Sequence, residues 1–81
     1  MANNIMIKDL IEYLVKAMVV HANQVQIKLH DSDEKVHVEI FVASSDRGRV
    51  IGKEGRAIKA LRNLIEVLFP TERKITIDLN Q

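Results

Sequence analysis

The stretch VIGKEGRAI, residues 50–58, places two glycines three positions apart, with a lysine and a glutamate between them. Apolar residues precede the pair, and a segment whose apolar residues have helical spacing follows it. Glycine costs backbone entropy, and the chain has only three, so two in one short loop indicate a turn that side chains would obstruct. Missing side chains also let another backbone approach closely. The loop, residues 52–55, is therefore a candidate binding site, and we call it the glycine loop.

The segment after the glycine loop predicts a helix that ends before Pro70, because proline disfavours helical geometry in the residue ahead of it. Its apolar stripe has spacings of three, four and three and consists of Ile58, Leu61, Ile65 and Leu68. The first N–H groups of such a helix are unpaired and lie at the positive end of its dipole, which suits a phosphate group. Lys53 and Arg56 would add full positive charges. The loop therefore favours a sugar-phosphate backbone as its ligand.

The rest of the chain predicts an α+β fold in the order helix, strand, strand, short helix, helix, strand. Charges interrupt the apolar residues of an amphipathic helix near residues 5–20, which argues against a signal sequence or a membrane span. Strict alternation predicts two antiparallel strands within residues 24–42 and a third over residues 74–80. The short helix, with Ser44 or Ser45 as its N-cap, belongs to a crossover that returns the third strand parallel to the second. The sequence thus predicts a three-stranded mixed sheet with the helices on one face.

Composition and charge indicate a small globular protein with a basic segment. A chain of 81 residues, 47% apolar and 28% charged, predicts one globular domain over residues 1–81. The chain has no cysteine, which excludes thiol chemistry and fits a cytoplasmic location. The net charge is +1, yet residues 46–62 hold six basic and two acidic residues, a local charge of +4, and the remainder carries −3. This basic segment contains the glycine loop and favours an anionic partner.

No set of side chains in the sequence predicts an enzyme or a metal site. The glycine spacing and the missing hydroxyl residue exclude a P-loop. Ser44 and Ser45 have no histidine placed to activate them as nucleophiles. His30 and His37 are expected near one another at a hairpin, but the histidines lack metal-ligand spacing and are better explained as surface residues. We therefore predict no catalytic residue, no cofactor and no metal.

The stretch around the glycine loop resembles the signature of KH domains. That signature is Ile-Gly-x-x-Gly followed by an apolar residue three positions after the second glycine, here Ile51, Gly52, Gly55 and Ile58. The order of helices and strands is similar to the type II KH fold and covers nearly the whole chain. The longer stretch 46–56 resembles the D-x-G-[KR]-V-I-G-K-x-G-R pattern of small single-KH bacterial RNA-binding proteins of the KhpA type.

This resemblance implies a protein that binds single-stranded RNA and acts as a post-transcriptional regulator or RNA chaperone. In KH domains the loop clamps the backbone of about four nucleotides, and bases rest in an aliphatic groove beside it. The implied RNA-binding residues are Arg47, Arg49, Val50, Ile51, Gly52, Lys53, Glu54, Gly55, Arg56 and Lys59. Glu54 brings a carboxylate into the phosphate loop, so we expect its side chain to point away from the ligand.

An alternative function is a protein-interaction subunit in which the KH fold mainly mediates dimerisation and RNA binding is vestigial. The resemblance also implies self-pairing and a second KH-containing partner. The helix after the glycine loop carries more apolar residues than one sheet contact needs, which predicts a homodimer through the helical side. A heterodimer with another KH protein is what the resemblance implies. No membrane partner is expected. Salt-dependent RNA binding that is lost when the loop is changed would separate the two functions.

Overall fold

The computed structural model describes the backbone of residues 2–80 and the side chains of residues 4–80. The predicted α+β order is confirmed. The helices and strands are α1 (Ala2–Met18), β1 (Gln26–Asp31), β2 (Lys35–Phe41), α2 (Arg47–Ile51), α3 (Arg56–Leu68) and β3 (Lys74–Asn80). None of the helices described within residues 2–80 is both long and apolar enough to cross a lipid bilayer.

The sheet has the strand order β1-β2-β3, so β2 is central. Strands β1 and β2 pair antiparallel, with His30 opposite His37, and β2 and β3 pair parallel, with Val36 beside Ile75. The predicted mixed sheet is thereby confirmed. Helices α2 and α3 form the connection between the two parallel strands, because such strands cannot be joined by a tight hairpin. Helix α3 therefore runs from the glycine loop to the end of the sheet that holds the β1–β2 hairpin.

The hydrophobic core lies between the helices and one face of the sheet. Every second residue of β2 is buried, as expected for a strand with one covered face. Helices α1 and α3 contribute residues at spacings of about one turn. The buried apolar residues of the strands and of these two helices are Ile27, Val36, Val38, Ile40, Ile75, Ile7, Ile11, Val15, Leu61 and Ile65. On the opposite face of the sheet, Lys28 Nζ lies 5.2 Å from the ring centroid of Phe41.

The segment leading into α2 differs from its prediction. Ser44 and Ser45 lie in a 3-10 turn, and neither side chain caps a helix, so the predicted serine cap is wrong. Asp46 directly precedes α2 and is buried, with 1% of its surface exposed. Its carboxylate accepts hydrogen bonds from the backbone N–H groups of Val20 (3.1 Å) and His21 (2.9 Å). The start of α2 is therefore tied to the end of α1.

A second polar cluster ties α1 to the hairpin end of the sheet. Asn4 Nδ2 donates to Asp31 Oδ2 over 2.6 Å. Arg73, just before β3, donates to the other Asp31 oxygen and to the carbonyl of Ser32. Because α3 begins at the glycine loop and ends near Arg73, this cluster lies at the far end of the molecule from the loop.

Candidate nucleic-acid interface

The glycine loop joins α2 to α3 through an unusual backbone conformation. Gly52, Glu54 and Gly55 have φ angles of 75°, 58° and 76°, all in the left-handed region that glycine adopts most easily. The Gly55 N–H donates to the Gly52 carbonyl over 3.2 Å and closes the turn. Gly52 also approaches the first turn of α3, because a Cβ atom there would lie 2.7 Å from Ala57 Cβ and 2.8 Å from Ala57 N. The loop is thus the tight turn that the two glycines predict.

The glycine loop presents unpaired backbone donors to solvent. Residues 53–55 form a single 3-10 turn, and its first two N–H groups, those of Lys53 and Glu54, have no acceptor within that turn. They also make no backbone hydrogen bond outside the helices and strands within residues 2–80, and both residues are exposed. Helix α3 starts directly after the loop, so the positive end of its dipole adjoins these donors. An oxyanion such as a phosphate group accepts hydrogen bonds from this kind of arrangement.

Basic side chains surround the unpaired donors. Lys53, Arg56 and Lys59 are exposed on the loop and on the first turns of α3. On α2, Arg49 is exposed and Arg47 is half-buried, and Arg49 Nε lies 3.9 Å from the Asp46 carboxylate. The basic residues of one sequence segment thus lie on the glycine loop and on the two helices that flank it. Their predicted contact with RNA stays a prediction.

A small crevice of about 60 Å³ lies between α3 and β3. Its walls are Ile58, Lys59, Arg62 and Ile77, and we call it the α3–β3 crevice. Strand β3 forms the edge of the sheet, so one side of its backbone has no strand partner among residues 2–80. The crevice thus has two isoleucines and two cations in its walls, and one of the isoleucines, Ile77, belongs to the edge strand.

Val50 and Ile51, the two aliphatic residues predicted to line the groove, differ in how deeply they are buried. Ile51 is half-buried and Val50 is fully buried, so the Val50 side chain has no surface of its own to offer. Arg62 and Ile77, which line the α3–β3 crevice, are not among the residues predicted for the site. Arg62 belongs to the basic segment, which was a usable signal. Ile77 carried no local signal, because only the parallel pairing of β3 brings it beside α3.

Comparison with known proteins assigns the family. A family model described as "KhpA/KhpB, KH domain" matches residues 8–79. The chain belongs to the KhpA/KhpB KH-domain family. The matched residues include the glycine loop and both helices of the crossover, and the predicted resemblance to KH domains of the KhpA type is confirmed.

Three relatives illustrate how closely the family members match. The chain is 36% identical over 73 residues to the RNA-binding protein KhpA of Halalkalibacterium halodurans, which covers 89% of this chain and 96% of the relative. It is 39% identical over 70 residues to RNA-binding protein KhpA of Thermotoga maritima, covering 86% and 93%. It is 41% identical over 73 residues to RNA-binding protein KhpA of Chlamydia caviae, covering 89% and 94%. The similarity therefore extends over nearly the whole KH domain.

Glu54 places a carboxylate among the donors of the KH loop. Its Oε1 lies 3.5 Å from Arg56 Nη2, and the two side chains are 71% and 78% exposed. If RNA phosphates pair with Arg56, this carboxylate would compete with them, and Glu54→Gln should tighten the binding of single-stranded RNA about two- to fivefold at low salt. The gain should shrink as salt is added, since exposed charges are screened. Fluorescence anisotropy with a labelled RNA measures the effect.

Glu72→Gln is the matched control for this prediction, because Glu72 is exposed and follows α3 at the other end of the molecule. It makes the same change in net charge without touching the loop. Equal tightening by both variants would mean that net charge alone is responsible, and unchanged affinity for Glu54→Gln would mean that its carboxylate does not compete for Arg56.

Proposed function

We propose that this protein binds single-stranded RNA along the glycine loop. The observation that carries the proposal is the pair of unpaired N–H groups at Lys53 and Glu54, beside the start of α3 and surrounded by exposed cations. Phosphate oxygens would accept hydrogen bonds from these donors and pair with Lys53 and Arg56. Gly52 and Gly55 let the RNA backbone approach closely, and Arg47, Arg49 and Lys59 supply flanking charge. The name of the three relatives, RNA-binding protein KhpA, supports the proposal.

The α3–β3 crevice is too small to enclose a base, but its walls would give a base next to the bound backbone a surface to lie against. Ile58 and Ile77 provide an apolar floor, and Ile51 extends it toward α2. Lys59 and Arg62 would contact the phosphate groups or the base edges at the rim. The free edge of β3 offers carbonyl and N–H groups to the hydrogen-bonding edges of an unstacked base. Val50 would act from beneath, by keeping α2 in place.

Binding without chemistry is the role that this site supports. We infer that residues 1–81 form one KH domain that works in the cytoplasm as a post-transcriptional regulator or RNA chaperone, and the proposal assigns it no reaction. The support is the nature of the site, which consists of backbone donors, exposed cations and an apolar crevice. These groups suit the reversible capture of an RNA backbone.

A salt series tests the proposal directly. The probe is a labelled single-stranded RNA of about eight nucleotides, twice the length that one KH groove holds. If about four phosphates are contacted, the logarithm of the affinity should fall with the logarithm of the salt concentration with a slope near −3. The same RNA annealed to its complement is the control, and it should bind more weakly. Salt-independent binding, or equal affinity for the duplex, would contradict the proposal.

We also infer a homodimer, or a heterodimer with another KH protein, formed through the apolar side of α3. Basic residues Lys59 and Arg62 occupy one flank of α3, beside β3, and apolar residues occupy the flank beside α1. That second flank borders a groove of about 360 Å³ lined by Leu14, Ala17, Met18, Ala57, Ala60, Leu61 and Leu64. Leu64, Val67 and Leu68 leave substantial apolar surface exposed there. Two RNA grooves in one dimer would raise the affinity for a longer RNA through effective concentration.

Leu64→Glu should abolish this association, because it places a charge at the centre of the apolar flank. Sedimentation at tens of micromolar protein is expected to give a dimer for the parent and a monomer for the variant. Ile5→Glu is the matched control, since Ile5 is an exposed apolar residue of α1 that does not line the groove. A strictly monomeric parent, or an equal loss of dimer in the control, would overturn the inferred interface.

A further inference from the structure

Asp46 is the only charged side chain that is buried among residues 4–80. Its Oδ1 accepts a hydrogen bond from the Val20 N–H, and its Oδ2 accepts one from the His21 N–H and lies 3.1 Å from His21 Nδ1. The donors belong to the turn that follows α1, and they precede Asp46 by 25 and 26 residues in the chain. One carboxylate therefore joins the end of α1 to the start of α2, and we call these contacts the Asp46 clasp.

The hydrogen bonds of the Asp46 clasp stabilise the charged form of the Asp46 carboxyl group. Burial by itself would raise the pKa of the Asp46 carboxyl, but the N–H groups of His21 and Val20 and the His21 ring hold that pKa below its ordinary value. A carboxyl with a lowered pKa stabilises the fold above its unfolded pKa and loses this contribution as the pH falls through the folded value. The clasp is therefore ionised and intact in any neutral buffer.

Helix α2 depends on such contacts for its position. It has five residues, and Val50 is the one buried side chain within it. So short a helix has little stability of its own. It ends at Ile51, and the capping residue Gly52, which is the first residue of the glycine loop, lies close to Ala57 of α3. The place of the loop is thus set by the clasp at one end of α2, by Val50 in the core, and by the close approach of Gly52 at the other end.

We propose that Asp46 is a positioning residue for RNA binding, which acts through α2 to hold the glycine loop in its binding geometry. This inference rests on the proposed function. A displaced α2 would move the N–H donors of Lys53 and Glu54 relative to the start of α3, and a phosphate group would then meet fewer donors at once. Asp46 itself is buried and carries a negative charge, so it has no favourable direct contact to offer RNA.

The sign of the effect separates positioning from simple electrostatics. Asp46→Asn removes a negative charge near a basic site, and that change alone would tighten RNA binding. If the clasp positions the loop, the same variant should instead weaken binding about tenfold, the equivalent of one charge-assisted hydrogen bond. Asp31→Asn is the matched control: it also removes one negative charge from a contact with α1, but at the far end of the molecule. Its RNA affinity should equal that of the parent.

The experiment compares Asp46→Asn and Asp31→Asn with the parent and with a double loop variant, Lys53→Asp with Glu54→Asp. Affinity for the labelled RNA is measured at a temperature where circular dichroism shows each protein to be fully folded. A loss of stability then does not lower the measured affinity. Amide chemical shifts should change at Gly52, Lys53 and Gly55 in Asp46→Asn and not in Asp31→Asn. If Asp46→Asn does not fold, His21→Ala replaces it, since His21 is partly exposed. That variant keeps both backbone donors and should weaken binding about two- to threefold.

The outcomes distinguish this inference from the proposed function. If Asp46→Asn binds RNA more weakly and shows shifted loop amides, and Asp31→Asn shows neither change, both the positioning role and the proposed function are supported. Parent-like affinity in the folded Asp46 or His21 variant, with binding lost in the loop variant, overturns the positioning role and leaves the proposed function standing. Parent-like affinity in the loop variant overturns both, because RNA would then bind elsewhere.

Discussion

Replacing both Lys53 and Glu54 with aspartate should lower the affinity for single-stranded RNA by at least about 100-fold and leave the fold intact. The change removes the lysine of the loop and places two short carboxylates beside the unpaired N–H groups, where a phosphate group would have to lie. Aspartate tolerates the left-handed conformation of position 54 better than most residues. Carboxylates at the start of α3 also interact favourably with its dipole. Stability should therefore be kept while binding is lost.

Glu34 and Lys35 supply a control with the same chemistry. They are adjacent and exposed at the start of β2, in the hairpin at the far end of the molecule from the glycine loop. Replacing both with aspartate changes the net charge by the same amount, and RNA affinity should fall by no more than about twofold, because separated exposed charges are screened. Circular dichroism and thermal unfolding check that both double variants are folded. An equal loss in the two variants would show that net charge, and not the loop, controls binding.

Gly52→Ala should have the largest effect on stability, a decrease of about 2–4 kcal/mol in the free energy of unfolding. With φ at 75° and ψ at 173°, Gly52 occupies a conformation that is essentially restricted to glycine. The added Cβ would also meet Ala57 N and Ala57 Cβ at less than 3 Å. Ala57 is fixed in the first turn of α3, so the loop would have to move. Urea unfolding measures the decrease, and RNA binding should be lost with the loop geometry.

Substitutions at the other two glycines separate the two causes of the stability loss, which are the positive φ and the close approach to Ala57. Gly55 has a positive φ but an open surrounding, with Lys59 Cε at 3.9 Å as the nearest atom, so Gly55→Ala should cost about 1 kcal/mol. Gly48 lies within α2 with nothing within 4 Å of its added Cβ, so Gly48→Ala should stabilise the protein by about 0.5–1 kcal/mol. Equal losses at Gly52 and Gly55 would mean that the positive φ alone matters and the close approach to Ala57 does not.

Local patterns in the sequence determined the fold and the place of the site. Alternation with a period of two and apolar spacing of three and four are properties of neighbouring residues, so they predict strands and helices without knowledge of their partners. The length of the segment between β2 and β3 was enough to predict their parallel pairing. The two glycines and the cations around them lie within one short segment. The glycine loop could therefore be located before any tertiary contact was known.

Tertiary structure alone decided how distant segments meet at that site. Capping preferences consider only the residues next to a helix, so they predicted Ser44 or Ser45 as the cap of α2. The donors that Asp46 engages instead lie before β1, and no local pattern links them to it. Ile77 enters the α3–β3 crevice because β3 pairs with β2 and passes α3. Packing likewise decides which neighbour each flank of α3 receives: the basic flank lies beside β3 and the apolar flank beside α1.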